Sequence, residues 1–217
     1  MADVSVGRAG EVPTGAAGGP LQDGGAPAPA PGAGVDRSAA TTAPLRTLLV
    51  EDFRQHSSSL VHPGLHALWV HRIGHWGLSQ PPPVRRAVKV AHRLVNRLLI
   101  QNLYGTEIAD EAFIGRRVSI GHHQAVQIPA FSVIGDGSTL RHNVTLGFTS
   151  GDAPREAVPR IGRDVEVGAG ATLLGPIAVG DGAKIGPHAL VTVDVPAGAT
   201  AFSPPARILK PQPATGA

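Results

Sequence analysis

Apolar residues recur at every sixth position along the second half of the chain, and small residues, often Gly, follow many of them. A period of six matches neither the 3.6 residues of a helical turn nor the two-residue alternation of a strand. Units of constant length stack on one another and bury a continuous core. Three units make a triangular coil of eighteen residues, so the pattern predicts a parallel β-helix. The predicted inward positions are Ile108, Ile114, Ile120, Ile128, Ile134, Leu140, Leu146, Ile161, Val167, Leu173, Val179, Ile185 and Val191.

Two irregularities interrupt this period. Ile120 and Ile128 lie eight residues apart, which adds two residues to one coil. Leu146 and Ile161 lie fifteen residues apart, so residues 148–160 are predicted to leave the wall as a loop. Excursions from a solenoid often carry function, although a tolerated insertion is the alternative interpretation.

The segment before the repeat has helical spacing instead. "APLRTLLVEDFRQH" opens a first helix, and "HPGLHALWVHRIGHW" predicts a second one. The prolines of "QPPPV" interrupt the helical pattern, because proline lacks the N–H that a helix interior needs. A third amphipathic helix is predicted from Val84 to Tyr104, with an apolar face of Val84, Ala87, Val88, Ala91, Leu94, Val95 and Leu98.

These patterns divide the chain into four parts. Residues 1–44 are mostly Ala, Gly and Pro and are predicted to be disordered, because such a segment buries too little apolar surface to offset its ordering entropy. Residues 45–104 form the α-helical domain and residues 105–200 the β-helix. Residues 201–217 are a C-terminal tail.

Composition and charge restrict the function further. The chain has no Cys, which excludes disulfides, Cys-ligated zinc and a cysteine nucleophile. The net charge of +3 is modest and no dense basic run occurs, so a nucleic-acid partner is not expected. No apolar stretch reaches the length of a membrane span, and the N-terminus lacks a signal pattern. We therefore expect a cytoplasmic protein without a membrane partner.

Several motifs, in order along the chain, resemble the serine O-acetyltransferases, a family of left-handed β-helix hexapeptide acyltransferases. They are "HPGLHALWVHRIGHW", "GTEI", "IGRR", "IGHHQAV", "VTLG", "VGAGAT", "LLGPIAVGDGAKIG" and "PPARIL". The resemblance covers about residues 45–210 and implies a left-handed coil. It also implies acetyl-CoA as the acyl donor and a small hydroxyl compound as the acceptor, with no metal.

The resemblance assigns catalytic roles to two residues. His122 matches the general base of the family, which takes the proton of the attacking hydroxyl; an imidazole titrates near neutral pH and suits this role. Glu107 matches the acidic residue that orients this base, as in a serine-protease triad. His123 points to the other side of its strand and is expected to have no special role.

Other positions depart from the family pattern where serine would be held. The family has Asp before the base, whereas this chain has Gly121. The loop of the family has an Arg-His pair, whereas Ala157 and Val158 stand here, and an Asp-Pro-Ala element of the helical domain is deleted. The segments "IGRRVSIGHHQAV" and "LRHNVTLG" resemble the colanic-acid or exopolysaccharide-type acetyltransferases more closely, which implies a sugar or a specialised metabolite as the acceptor.

Two further groups of residues are expected near the reaction. One coil of eighteen residues plus the two-residue insertion separates His122 from His142, so we expect these histidines on adjacent coils about 5 Å apart. His142 would then be a partner of the base or an acceptor contact; a solvent-facing wall residue is the alternative. The resemblance implies a CoA groove between subunits of a homotrimer, or of paired trimers, with Gly147, Gly168, Ala169, Gly170, Arg207 and Lys210 as candidates.

Two other functions remain as alternatives. A γ-type carbonic anhydrase would bind zinc through three histidines, for which His122, His142 and His188 are the candidates, but the short histidine spacing of that family is missing. A degenerate, non-catalytic scaffold is the second alternative, because fold does not imply function. His66, His71 and His75 on the second predicted helix are interpreted as packing or surface residues, with metal binding as the minor alternative.

Overall fold

The computed structural model describes residues 37–40, 43–121 and 124–206. Three helices come first: α1 Leu45–Gln55, α2 Pro63–Leu78 and α3 Pro82–Val95, which continues as a π-helical segment, Asn96–Gln101. Pro63 and Pro82 open α2 and α3, where the missing N–H costs nothing because the first amides of a helix have no internal partner. The three predicted helices are thereby confirmed.

Within the described residues, fourteen short strands follow the helices. They are β1 Glu107–Ile108, β2 Phe113–Ile114, β3 Ser119–Ile120, β4 Gln127–Ile128, β5 Val133–Ile134, β6 Thr139–Leu140, β7 Thr145–Gly147, β8 Arg160–Ile161, β9 Glu166–Val167, β10 Thr172–Leu174, β11 Ala178–Val179, β12 Lys184–Ile185, β13 Leu190–Val191 and β14 Thr200–Ala201.

From β1 to β13, every third strand of the solenoid joins the same parallel sheet; β14 joins sheet C, because an isolated bridge between Val195 and Val179 takes the intervening place in sheet B. Sheet A has the order β1-β4-β7-β10-β13, sheet B has β2-β5-β8-β11, and sheet C has β3-β6-β9-β12-β14. All thirteen predicted inward positions are at most 6% exposed and form the core of the prism. The left-handed β-helix predicted from the six-residue period and the family resemblance is confirmed.

The chain turns three times in each coil, and we name these turns by the sheets that they join. Corner AB leads from sheet A to sheet B, corner BC from B to C, and corner CA from C back to A. Residues 148–159 replace one AB corner with a loop between β7 and β8. Arg160 already belongs to β8, so the loop is one residue shorter than predicted.

The helices sit on the first coil through buried polar contacts. The Arg72 guanidinium pairs with the Asp52 carboxylate at 3.1 Å and also donates hydrogen bonds to the carbonyls of Ile114 and Gly115. His71 and His75 donate from Nδ1 to the carbonyls of Ala109 and Asp110 at 3.1 and 2.7 Å. Burial lowers the pKa of His71 well below its ordinary value, so its ring is neutral. These histidines of α2 therefore join the helices to the solenoid.

The end of the predicted tail also contacts the solenoid. Arg37–Ala39 form a 3-10 turn, and Ala40 packs with Val133 and Ala178 on the outer face of sheet B. The Arg37 guanidinium lies 4.4 Å from the centre of the Phe113 ring. The structure therefore shortens the segment predicted to be disordered, of which residues 1–36 and 41–42 lie outside the described residues.

Helix α3 exposes most of its predicted apolar face to solvent. Six of the seven residues of its predicted apolar face are exposed to solvent: Val84, Ala87, Ala91, Leu94, Val95 and Leu98. The helix packs on α2 through Val88, against Gly77, and through His92, against Gly74. We refer to the six exposed residues as the α3 apolar face. No helix in the described part of the chain combines the length and apolar content that a membrane crossing requires.

Candidate functional site

The two-residue insertion of the first coil lies in corner CA. Ile120 pairs with Leu140, an offset of twenty residues, whereas Gln127 pairs with Thr145, an offset of eighteen. Within the corner, the Asn143 N–H donates to the Gln124 carbonyl at 2.8 Å. The two additional positions therefore fall between Gly121 and Gln124. They are His122, the predicted base, and His123, and both lie outside the described residues.

The left-handed turn residues show which positions of corner CA stack on one another. Ala125 and Asn143 occupy the same left-handed turn position, with φ of 53° and 56°. Gln124, which precedes Ala125, consequently stacks on His142, which precedes Asn143. The expected proximity of His122 and His142 stays a prediction, because His122 lies outside the described residues. His142 itself is half-buried in corner CA.

Glu107 lies beside the end of this corner. Its backbone N–H donates to the Val126 carbonyl at 2.8 Å, and Glu107 pairs with Gln127 in sheet A. The residue is exposed, so its carboxylate is open to a ligand or to a neighbouring side chain. Sheet pairing thus brings Glu107 to the corner that contains position 122.

Glu107 and Gly147 line one groove on the outside of sheet A. This groove has a volume of about 530 Å³, and Thr145, Phe148 and Arg155 also line it. The Arg155 guanidinium lies 5.6 Å from the centre of the Phe131 ring, a distance typical of a cation–π contact. Arg155 was not among the predicted site residues. Its place in the excursion loop was the signal that could have identified it.

Gly168 and Ala169 line a second groove beside sheet C, of about 570 Å³, together with Arg141 and Lys184. Gly147 is therefore not in the same groove as these residues within one chain. The predicted CoA residues Arg207 and Lys210 lie outside the described residues.

The stacking of the coils requires glycine at two of the positions that were predicted to bind CoA. A Cβ on Gly168 would lie 2.6 Å from the Pro187 backbone nitrogen, and Gly170 has a φ of 71° and lies under the His188 ring. Both positions need Gly for the stacking of the next coil, whatever ligand occupies the groove.

The positions that depart from the family pattern differ in their surroundings. A Cβ on Gly121 would meet no atom within 4 Å, so packing does not require a glycine there. Val158 is 1% exposed and Ala157 is half-buried. Neither of these two loop residues offers a charge to a ligand.

The helices contribute two histidines near corner CA that the sequence analysis missed. His56 donates from Nδ1 to the Asp52 carbonyl at 2.7 Å, and its Nε2 accepts a hydrogen bond from the Ile120 N–H at 3.3 Å. The ring of His62 meets that of His56 edge-on, with 4.9 Å between their centroids. The α1–α2 connection therefore forms one wall of the corner, in the region where the family's deleted element would lie. No periodicity marks these residues.

The described histidines of corner CA lie on different coils. The Gly170 N–H donates to the His142 carbonyl and the His188 N–H to the Ala169 carbonyl, so one whole coil separates His142 from His188. Two strand spacings are about 10 Å, which is too far for two ligands of one metal ion. Within the described ranges, no three His, Asp or Glu side chains are grouped to hold a metal.

Comparisons with known proteins agree with this architecture. The family model "Bacterial transferase hexapeptide (six repeats)" matches residues 159–192. The serine acetyltransferase of Helicobacter pylori strain 26695 is 41% identical over 150 residues, which are 69% of this chain and 83% of that protein. The Mycobacterium tuberculosis serine acetyltransferase is 37% identical over 156 residues, 71% of this chain and 65% of its relative. The chain thus spans slightly less than two thirds of the M. tuberculosis enzyme.

A solved structure shows the same fold. The crystal structure of serine acetyltransferase in complex with coenzyme A from Brucella abortus has a TM-score of 0.64 and 27% sequence identity. The match covers 76% of this chain and 67% of that chain.

Proposed function

Because the chain belongs to the serine acetyltransferase family, we propose that it transfers the acetyl group of acetyl-CoA to a hydroxyl of a small acceptor, with His122 as general base and Glu107 as the residue that orients it. The observation that carries this proposal is the pairing of β1 with β4, which sets Glu107 beside the end of the corner that contains position 122. A carboxylate at this place is suited to hold an imidazole in one tautomer and to stabilise the imidazolium.

The reaction divides into two proton transfers. The imidazole of His122 takes the hydroxyl proton as the acceptor oxygen attacks the thioester carbonyl, because an un-ionised hydroxyl is a poor nucleophile. The tetrahedral intermediate then breaks its C–S bond and releases the CoA thiolate. The imidazolium returns the proton to the sulfur, which leaves the acetyl ester, free CoA and a neutral base.

The two grooves support a homotrimer as the working unit. The sheet A groove contains Glu107 and Gly147, and the sheet C groove contains Gly168 and Ala169. These grooves lie along different faces of one prism. A CoA site that uses both sets is complete only where two chains meet, which favours a homotrimer or a pair of trimers.

An acceptor without the charged ends of an amino acid is the second candidate. Gly121 and Val158 stand where the family carries an Asp and part of an Arg-His pair, and the Val158 side chain is 1% exposed. An ammonium and a carboxylate left unpaired in a closed site are costly. This observation favours a sugar or a specialised-metabolite hydroxyl, as in the exopolysaccharide-type acetyltransferases.

A thiol-release assay tests the proposal. Purified protein is given acetyl-CoA with serine, homoserine or a panel of sugars, and CoA release is measured. His122→Ala should lower turnover by about 10²–10⁴-fold with any active acceptor, as expected for loss of a general base. His123→Ala is the matched control and should retain activity. Equal turnover of His122→Ala and the parent would contradict the assigned base, whereas tight CoA binding by calorimetry would count against the scaffold alternative.

The empty space at Gly121 allows a test of the acceptor. Gly121→Asp should raise kcat/KM for serine relative to the best sugar, since the new carboxylate can pair with the serine ammonium. Gly151→Asp is the control, because its Cβ also meets no atom within 4 Å. Rapid turnover of serine by the parent chain, unchanged in Gly121→Asp, would overturn the preference for an uncharged acceptor.

A further inference from the structure

The α3 apolar face has the spacing of an amphipathic helix, yet its side chains are exposed to solvent. Leu94 is 60% exposed and Leu98 61%, and Val84 and Val95 are 42% exposed each. Val90, at the margin of the same side, is 67% exposed. Contiguous exposed apolar side chains are rare on a protein surface without a partner, so this face requires an occupant.

The other side of α3 is uniformly basic. Arg85, Arg86, Lys89, Arg93 and Arg97 alternate with the apolar residues along this helix and its continuation. No Asp or Glu occurs between Asp52 and Glu107, although Asp110 of the first coil lines a cleft with Arg85, Arg86 and Lys89. An apolar face opposite a basic one, on a helix of moderate length, is the pattern of helices that lie in the plane of a membrane surface.

We propose that the α3 apolar face docks on an anionic lipid bilayer, with α3 parallel to the surface. Charge complementarity selects this occupant: the basic side chains of the same helix attract anionic headgroups while the apolar side chains enter the acyl boundary. A second α3 laid against this one would cover the apolar side chains and leave both sets of cations without an anionic partner. A nucleic acid would satisfy the cations and leave the apolar side chains in water.

The inference concerns a surface contact and not a span. The expectation that the chain has no membrane partner was based on the lack of a long apolar stretch, and this argument does not apply to a helix that lies flat. The proposal is independent of the acetyl-transfer chemistry, because α3 carries none of the residues assigned to the reaction.

Vesicle flotation tests the proposal with the full-length protein. Vesicles of equimolar phosphatidylglycerol and phosphatidylcholine should carry at least tenfold more protein than vesicles of phosphatidylcholine alone at low salt. Salt should release part of the bound protein by screening the headgroup attraction. The apolar contribution should remain.

Two double variants separate the apolar and the electrostatic contributions. Leu94→Gln with Leu98→Gln should lower vesicle binding by at least tenfold, because both leucines would lose the apolar area that they bury when the helix docks on the bilayer. Arg93→Gln with Arg97→Gln should lower it by about tenfold and reduce its salt dependence. Leu190→Gln is the matched control: Leu190 is 66% exposed on sheet A, far along the solenoid, and the substitution should change nothing. Unchanged circular dichroism verifies the fold of each variant.

Three results would overturn the proposal. The first is equal recovery of the parent with anionic and neutral vesicles. The second is binding to duplex DNA that the Leu94/Leu98 variant retains in full. The third is a parent that does not bind vesicles, with a Leu94/Leu98 variant of smaller mass by light scattering; this result would assign the face to a second copy of the chain.

Discussion

The solenoid and the helices that cover its first coil are stabilised in different ways. In the solenoid, one aliphatic side chain per six residues points inward, and all thirteen are buried in a continuous column. The helices attach to this column through Ala67, Leu68 and Ile100, which join its core cluster, and through Arg72, His71 and His75, which bind backbone carbonyls of the first coil. The apolar face of α3 points outward instead.

This difference shows what a hydrophobic pattern does and does not record. A repeat buries its apolar residues against its own neighbours, so its period and its core coincide. A helix can turn its apolar face toward the domain or toward an external partner, and the spacing of its residues is the same in both cases. The polar contacts of the joint between the two regions depend on single side chains, for which no period exists.

Removal of the Arg72 guanidinium should have the largest effect on this joint. Arg72→Met leaves the carboxylate of Asp52, which is 0% exposed, without its cation, and loss of one partner of a buried pair costs about 3–5 kcal/mol. The two Trp residues of the chain, Trp69 and Trp76, both lie on α2, so their fluorescence reports the helices alone. In urea, the fluorescence transition should move to lower concentration and precede the loss of circular dichroism.

A second substitution sharpens this result. Arg72→Met combined with Asp52→Asn removes both charges and should recover part of the lost stability, because no uncompensated charge remains. Coincident fluorescence and circular dichroism transitions in Arg72→Met would mean that the helices and the solenoid unfold as one unit and that the comparison between them is wrong.

Leucine-to-alanine substitutions in the two regions should have the next largest difference in the free energy of unfolding. Leu173 is 0% exposed in sheet A, and Leu173→Ala should cost about 2–5 kcal/mol by loss of apolar burial and creation of a cavity. Leu94→Ala on the α3 apolar face should change the free energy of unfolding by less than about 0.5 kcal/mol. Urea unfolding measures both; a large cost at Leu94 would mean that the face is covered in solution.

The sequence was sufficient to predict the β-helix, the three helices and the excursion loop, because each has a period or an interruption of a period. The site was predictable only in part. Glu107 reaches corner CA through sheet register, which the period contains. The stacking of Gln124 on His142 was not predictable, because two extra residues can be placed at any point of a turn without changing the strands. Arg155 and His56 approach the site through tertiary contacts that leave no trace in the spacing.

Acidification should weaken the helices more than the solenoid. Burial holds the pKa of His71 well below 6.5, so below that pH the unfolded chain binds a proton that the folded chain does not. Stability is therefore complete above about pH 6.5 and falls as the pH decreases, by at most about 1.4 kcal/mol per pH unit from this group. Burial also lowers the pKa of His92, which adds to the trend.

His71→Asn isolates this contribution. An asparagine amide can still donate to the Ala109 carbonyl and has no proton to gain, so the urea midpoint should depend less on pH between about 7.5 and 5.5. His188→Asn is the control, because His188 is an exposed corner residue of the solenoid. Identical pH dependence in His71→Asn and the parent would show that His71 is not the group that titrates.

The ion pair between Glu51 and Arg116 should give the smallest effect, although it also joins a helix to the first coil. The Arg116 Nε lies 3.0 Å from the Glu51 carboxylate, and this hydrogen bond lowers the pKa of Glu51. Arg116 is 31% exposed and Glu51 is 18% exposed, so water and salt screen their attraction. Arg116→Gln should shift the fluorescence-detected urea midpoint far less than Arg72→Met, and molar salt should abolish the shift. A shift as large as that of Arg72→Met would mean that charge at the joint, rather than burial of charge, stabilises the helices.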